Sequence, residues 1–380
     1  MPVTTRPDVV FVRGSGSWLE DDAGTNYLDL VQGWAVNALG HASPVVAEAL
    51  ARQAAILVNP SPSFLNAPQI ACCARLAELT GMDQVFLCST GAEANEGAIK
   101  LARRWGARHR GGAHEIVVVD DAFHGRTLAT MCASGKPGWD TLFAPPGATA
   151  MVSGFVRVPR DPAKIAAAIG PLTCAVMIEP ILGEAGVVPI TDGDLQQIRA
   201  LTTEIGVLLI ADEVQTGCGR TGTFLACTHA GVRPDIVTMG KGIGGGVPAA
   251  ALLCRNDVMA FAAGDQGGTY PGTPLIAAVV LAVIDTVGQD AFLQRVQAAG
   301  TRLAAGLQIF GAVRGRGLLL AVDLGQPIAA AVVERARAQG LLINAPRPDV
   351  LRLMPALTIS DAEIDLALER LAVAVGQVRS

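Results

Sequence analysis

Val207-Leu-Leu-Ile-Ala-Asp212-Glu213-Val-Gln215 is an apolar run that ends in two adjacent acids. Short apolar runs bounded by polar residues read as buried strands. The same rhythm continues on both sides. Residues 235–239 (DIVTM) form a second run, closed by Gly240-Lys241-Gly242, and Gln84–Cys88, 115–120 and 174–179 are strand-like upstream. Between them, 92–108, a segment near Arg126 and Asp192–Ile205 carry helical periodicity. Strands alternating with helices predict an α/β fold with a largely parallel sheet, in which ligands bind outside the carboxyl ends of the strands.

From residue 274 the pattern changes. A helical stretch over 274–310, a strand-like run at 313–323, a helix near 327–339, apolar runs at 341–344 and 350–353 and a final helix from Ser360 predict a smaller α+β domain. The expected division is 1–55 as the N-terminal segment of that small domain, 56–272 as the large domain and 273–380 as the C-terminal small domain.

Hydrophobic residues make up 51% of the 380 and charged residues 17%, the balance of a packed globular protein. A formal net charge of −5 argues against nucleic acid or an anionic membrane as the main partner. The first twenty residues lack the basic start and apolar stretch of a signal peptide. The longest apolar run, 273–284, is too short to span a bilayer. Eight cysteines without a C-x-x-C pair suit free buried thiols in a reducing cytoplasm. No metal centre is expected.

Only four of the 29 basic residues are lysines: Lys100, Lys136, Lys164 and Lys241. Lys241 follows an apolar strand directly and lies among glycines, which let backbone approach a ligand closely. An amine held near apolar surface loses basicity and becomes a usable nucleophile. A phosphate-binding loop is the alternative, but G-x-x-x-x-G-K-[ST] is absent because Gly242 follows the lysine. Asp212 at the mouth of a buried strand needs a cation, and a protonated pyridine ring is one; a metal ligand or helix cap suits it equally. Ser89-Thr90-Gly91-Ala92-Glu93 opens a strong helix, so its free amides suit an anion, or Thr90 or Ser89 caps the helix in a capping box with the glutamate near the third helical position. Phe123-His124-Gly125-Arg126 places an aromatic face beside a fork-shaped cation suited to a carboxylate. Residues 217–222 (GCGRTG) satisfy G-x-G-x-x-G, but four residues separate them from the strand and no acid follows at the required spacing. A dinucleotide site is therefore not expected.

Together the stretches GWAVNALGH (33–41), NPSPSF (59–64), STGAEANEGAIKLAR (89–103), FHGRTLAT (123–130), IEPILGEAGV (178–187), LLIADEVQTGCGRTG (208–222), DIVTMGKGIGGGVP (235–248), GDQGGTYPGTP (264–274) and LRLMPAL (351–357) resemble the class III, ornithine-type aminotransferases, most closely those acting on acetylornithine. The resemblance runs nearly end to end. It implies the aspartate-aminotransferase fold (pyridoxal-phosphate fold type I), with a mostly parallel seven-stranded sheet, and pyridoxal 5′-phosphate as cofactor. It implies a homodimer with active sites at the subunit interface. Lys241 matches the Schiff-base lysine, Asp212 the partner of the ring nitrogen, Gln215 the contact to the ring hydroxyl and Phe123 the ring-stacking residue. Thr90, Gly91 and Ala92 match the phosphate cradle, and Thr269 a phosphate ligand delivered from the other subunit. Arg126 matches the residue holding the α-carboxylate of the substrate. Glu184 and Arg352 match a switch pair in which the glutamate covers the arginine until 2-oxoglutarate needs it. The implied reaction converts N2-acetylornithine and 2-oxoglutarate to N-acetylglutamate 5-semialdehyde and glutamate. Ornithine, succinyl-diaminopimelate, 4-aminobutyrate or a specialised amine are the alternatives. Four departures from the family pattern stand out: Gly268 where a substrate-contacting serine is common, Pro271 and Thr273 in the following motif, and Leu182 where glutamine is frequent.

Overall fold

The computed structural model describes all residues except Pro2, Thr5 and Ser380. Its centre is a seven-stranded sheet in the order Gln84–Cys88, Ala250–Cys254, Ile236–Met239, Leu208–Asp212, Thr173–Ile178, Glu115–Val119, Phe155–Val158. Ala250–Cys254 runs antiparallel to both neighbours and the other six strands are parallel. This is the mostly parallel sheet that the alternating pattern predicts.

Both faces of the sheet are covered, so its central strands are buried at every position and apolar at most of them rather than at alternate ones. Ile116, Val118, Met177, Leu208 and Ile210 pack on one face with Ile99 and Leu101 of the helix Gly91–His109. Their chain neighbours Val117, Val119, Ile178, Leu209 and Ala211 pack on the other face with Leu195 and Ile198 of the helix Asp192–Ile205. A period of two along each strand sends successive side chains to opposite faces, and each meets a helix.

The N-terminal strands Phe11–Ser15, Trp18–Asp21 and Asn26–Asp29 form a second sheet, completed by the parallel pairing of Leu341–Leu342 with Asn26–Asp29. A third sheet holds Ala312–Arg316, Leu319–Asp323, Val350–Leu353 and Asn344–Arg347, all antiparallel. Two expectations need correction. The helical stretch 274–310 is two helices, Pro274–Val287 and Asp290–Leu307, bent by 69° at the intervening Gly288-Gln289. The run 313–323 is a hairpin rather than one strand, turned at Gly317 (φ 53°), where the chain reverses within two residues. Apolar content alone does not mark either break. No single described helix is long and apolar enough to cross a membrane.

Gly106 shows how tightly the main helix meets the sheet layer. A Cβ there would lie 2.1 Å from the Ala113 carbonyl oxygen and 2.7 Å from Cys174 Cβ. Helix propensity favours alanine over glycine by about 1 kcal/mol, but overpacking costs about 1–3 kcal/mol. Gly106→Ala should therefore destabilise the protein by up to about 2 kcal/mol, read as a lower denaturant midpoint; a raised midpoint would show that the helix can move away.

Candidate active site at the carboxyl ends of the parallel strands

Each parallel strand delivers a polar residue at its carboxyl end. Leu208–Asp212 ends in Asp212, Thr173–Ile178 leads to Glu179, Ile236–Met239 to Lys241, and Gln84–Cys88 to Thr90. Asp212, Gln215, Lys241, Phe123, Gly91 and Ala92 line one cavity of about 220 Å³, which Asn95, His124 and Glu179 also face. A second cavity of about 260 Å³ shares Gly91 and Lys241 with it and reaches Ser89, Thr90 and residues 246–249. An apolar hollow lined by Phe86, Leu101 and Phe261 lies elsewhere and shares none of these residues.

Asp212 is 3% exposed, and its charge is met by hydrogen bonds. Asn95 Nδ2 donates to Oδ2 at 2.7 Å, His124 Nδ1 lies 2.7 Å from the same oxygen, and the Val214 amide donates to Oδ1 at 3.0 Å. Thr238 donates its hydroxyl to Asn95 Oδ1 at 2.7 Å, which fixes the amide so that its nitrogen faces Asp212 and the His124 carbonyl. The loop carrying Phe123 is held from below: the Phe123 amide donates to Glu179 Oε1 at 2.8 Å, and the His124 amide to Ser134 Oγ at 3.0 Å. Burial pushes the Glu179 carboxyl up to about 7, against the opposing pull of His124.

Lys241 stands across the cavity at a strained φ of 47°, at the start of the short turn Lys241–Gly244. Burial lowers its amine pKa; the carboxylates of Asp212 and Glu179 push back. No described residue hydrogen-bonds its ammonium or pairs with it at ion-pair distance.

The capping box is present: Glu93 donates its amide to Thr90 Oγ1 at 3.2 Å and accepts the Thr90 amide at 3.0 Å. The cap and an anion site are compatible, because a helix's first amides have no partner within the helix. Gly91 is needed for another reason, since a Cβ there would lie 2.7 Å from Val214. Gln215 is buried with Oε1 unpartnered, and a Cβ on Gly183 would overlap that oxygen.

Arg352 is fully buried. Its guanidinium bonds Glu184 at 2.8 Å, the Gly183 carbonyl at 3.0 Å and Asn344 Oδ1 at 2.8 Å, leaves Nη2 without a partner, and lies 5.3 Å from the Trp34 ring. Burial raises the Glu184 carboxyl pKa, but Arg352 outweighs it and the net shift is downward. Arg126 is exposed, its guanidinium 5.7 Å from the Trp139 ring centre, and it does not line the Lys241 cavity. Gly268 and Thr269 are exposed on a loop that does not reach that cavity within one chain. Leu182 is buried in the short strand Ile181–Leu182.

The unpartnered amine, the unpartnered Gln215 oxygen, the anchored Asp212 carboxylate and the helix amides form a donor and acceptor set that fits pyridoxal 5′-phosphate. Sequence reasoning missed Asn95, Glu179, Thr238 and the role of His124. Asn95 and His124 lie inside quoted motifs, but nothing in their spacing reveals that they converge on Asp212. The 217–222 motif forms buried turns ahead of the 3₁₀ turn Ala226–Ala230, with no helix opening at its glycines. A dinucleotide fingerprint needs that helix.

Two departures from the family pattern explain each other. A Cβ on Gly268 would lie 2.8 Å from Pro271 Cγ and 2.9 Å from Cδ, and a proline ring cannot swing away. Gly268→Ser should therefore lower the melting temperature of the protein or displace the loop. The double substitution Gly268→Ser with Pro271→Gly should recover most of the loss, and a cycle showing strict additivity would break the link.

A profile of the class-III aminotransferases matches residues 2–375. The acetylornithine aminotransferase 2 of Bordetella bronchiseptica is 52% identical over 100% of this chain and 97% of its own length. The acetylornithine aminotransferase of Ralstonia nicotianae is 52% identical over 96% and 94%. Among solved structures, the ornithine aminotransferase of Toxoplasma gondii superposes with a TM-score of 0.93 at 31% identity, covering 99% of this chain and 92% of that one. The N-acetylornithine aminotransferase of Stenotrophomonas maltophilia gives 0.84 at 34% identity, covering 98% and 96%. With a sheet, a cavity and a full-length match all in agreement, the chain belongs to the class-III aminotransferases and depends on pyridoxal 5′-phosphate.

Proposed function

We propose that the chain moves the δ-amino group of N2-acetylornithine to 2-oxoglutarate, giving N-acetylglutamate 5-semialdehyde and glutamate. The observation that carries this reading is the convergence of the Lys241 amine and the Asp212 carboxylate on one cavity, with the Glu184–Arg352 pair among the neighbouring charges. The 52% identity to relatives named for acetylornithine supports the donor.

Bound pyridoxal 5′-phosphate supplies an electron sink for charge developing on the carbon that carries the reacting amine. Lys241 is the residue that would anchor the cofactor, and its Nζ would serve as the base that takes the proton from that carbon and returns it. Its lowered amine pKa raises the share of the neutral, proton-accepting form at neutral pH. Asp212 would pair with the ring nitrogen, and Asn95 and His124 keep its carboxylate aimed into the cavity. Phe123 would cover a ring face, Gln215 would contact the ring hydroxyl, and Thr90, Gly91 and Ala92 would hold the phosphate. Arg126 grips the α-carboxylate of the donor, so that the distal amine reaches the cofactor. Glu184 masks Arg352 in the first half-reaction and releases it for the second carboxylate of 2-oxoglutarate.

The homodimer is part of this reading. Thr269 lies outside its own chain's cavity, and the exposed apolar side chains Leu57, Val58, Phe64 and Leu65 need a cover. Residues 1–55 and 273–380 make the small domain and 56–272 the large one, in keeping with the strand pairing between Asn26–Asp29 and Leu341–Leu342. The eight free cysteines suit the reducing cytoplasm.

Purified enzyme should be yellow, and an amine donor should bleach the colour. Lys241→Ala should lose the visible absorbance of the anchored cofactor and at least about a thousand-fold in turnover; survival of that absorbance would refute the lysine assignment. In a panel of N2-acetylornithine, ornithine, succinyl-diaminopimelate and 4-aminobutyrate with 2-oxoglutarate, N2-acetylornithine should give the highest kcat/KM for glutamate formation. If it ranks among the poorest donors, the substrate is wrong and the family stands.

A further inference from the structure

Lys136-Pro137-Gly138-Trp139 forms a β-turn, closed by the Trp139 amide donating to the Lys136 carbonyl at 3.2 Å. Proline at the second position and glycine at the third, with φ 76°, are the residues a type II turn requires. The turn brings its first and fourth side chains together: Lys136 Nζ lies 4.7 Å from the Trp139 ring centre and 5.3 Å from that of Phe123. The Arg126 guanidinium lies 5.7 Å from the same Trp139 ring, and Phe123 packs against that ring edge-on at 6.0 Å. Two cations thus share one indole, and neither pairs with a carboxylate among the described residues. Like charges near one ring repel, and an anion placed between them relieves that repulsion. The field of Lys136 also reaches Glu184. Burial raises that carboxyl pKa, Arg352 lowers it most, and Lys136 adds to the lowering.

We propose that Lys136 is a specificity-determining residue that selects amine donors whose α-amine is acylated and turns away donors whose α-amine is a free ammonium. The inference rests on Arg126 holding the α-carboxylate of the donor. That carboxylate and the α-substituent are attached to the same carbon, so whatever sits on the α-nitrogen enters the neighbourhood of the second cation. An amide there is neutral, and its carbonyl oxygen accepts a hydrogen bond from an ammonium with three donors on a flexible stem. A free α-ammonium is a third positive charge in the same corner, and Glu184 does not neutralise it because Arg352 already holds that carboxylate. Selection by repulsion of the wrong donor is a common route to specificity.

The test is a charge series at one position. Lys136→Arg, Lys136→Gln and Lys136→Glu holoenzymes are compared with wild type for the ratio of kcat/KM with N-acetylornithine to that with ornithine. The ratio should be kept in Lys136→Arg, fall about ten-fold in Lys136→Gln and fall further in Lys136→Glu, chiefly through gain of ornithine turnover. A role limited to packing on Trp139 would lower both donors together and leave the ratio flat. Calorimetry with N-acetylnorvaline, which keeps the carboxylate and acetamide but has no δ-amine, should show weaker binding in the order Lys, Gln, Glu. A flat ratio across an active series, or binding of N-acetylnorvaline indifferent to the charge at 136, overturns the proposal and leaves the transaminase reading intact. Failure of the wild-type enzyme to form glutamate from N-acetylornithine removes the substrate reading and this proposal with it.

Discussion

A carboxylate buried at the end of a central strand must be compensated where it stands, because it cannot relax toward water. Asp212 is that carboxylate, and much of the neighbouring architecture serves it. Asn95 comes from the helix Gly91–His109, His124 from the loop after Glu115–Val119, and Thr238 from the adjacent parallel strand. Three separate elements therefore meet at one charge. The arrangement fixes the aim of the carboxylate, and it ties the register of two neighbouring strands to the geometry of the cavity. Such a network rigidifies the core in proportion to how fully it is satisfied, and here the buried His124 Nε2 is left without a partner among the described residues.

The opposite wall is built differently. The segment 183–187, which carries Glu184, is held through its main chain by arginines of the C-terminal sheet. Arg352 bonds the Gly183 carbonyl, Arg347 that of Ala185 at 3.4 Å, and Arg314 that of Gly186 at 2.7 Å. Arg347 also pairs with Asp121, next to the Phe123 loop. The backbone around Glu184 is thus pinned at three carbonyls. Opposite it, Gln32–Ala35 make one turn of left-handed helix, with φ between 50° and 67° at all four residues, only one of them glycine. Left-handed conformations cost non-glycine residues about 1–2 kcal/mol each. The strain holds Trp34 half exposed over the Arg352 guanidinium, where strained backbone at a ligand-facing wall is a familiar expense.

What the sequence by itself determined was the sheet and a short list for the candidate amine. Continuous apolar runs separated by amphipathic helices have one stable arrangement, a parallel sheet covered on both faces, and only four lysines existed to choose among. The helix Asp192–Ile205 and the strand Gln84–Cys88 were legible to the residue, because cap, period and turn signals agreed there. Tertiary structure alone decided the rest. The break near Gly288 and the hairpin at Gly317 depend on what the chain packs against and not on its apolar content. Asn95 and His124 are distant in sequence from Asp212 and reach it, and Thr238 reaches Asn95, only because the strands assemble side by side. Lys136 reads alone as a surface lysine, and gains meaning from the turn that sets it beside Trp139 and the loop that brings Arg126 to the same ring. Local pattern records burial and backbone preference, whereas a site is a coincidence of side chains from separate elements, which exists only once the sheet has formed.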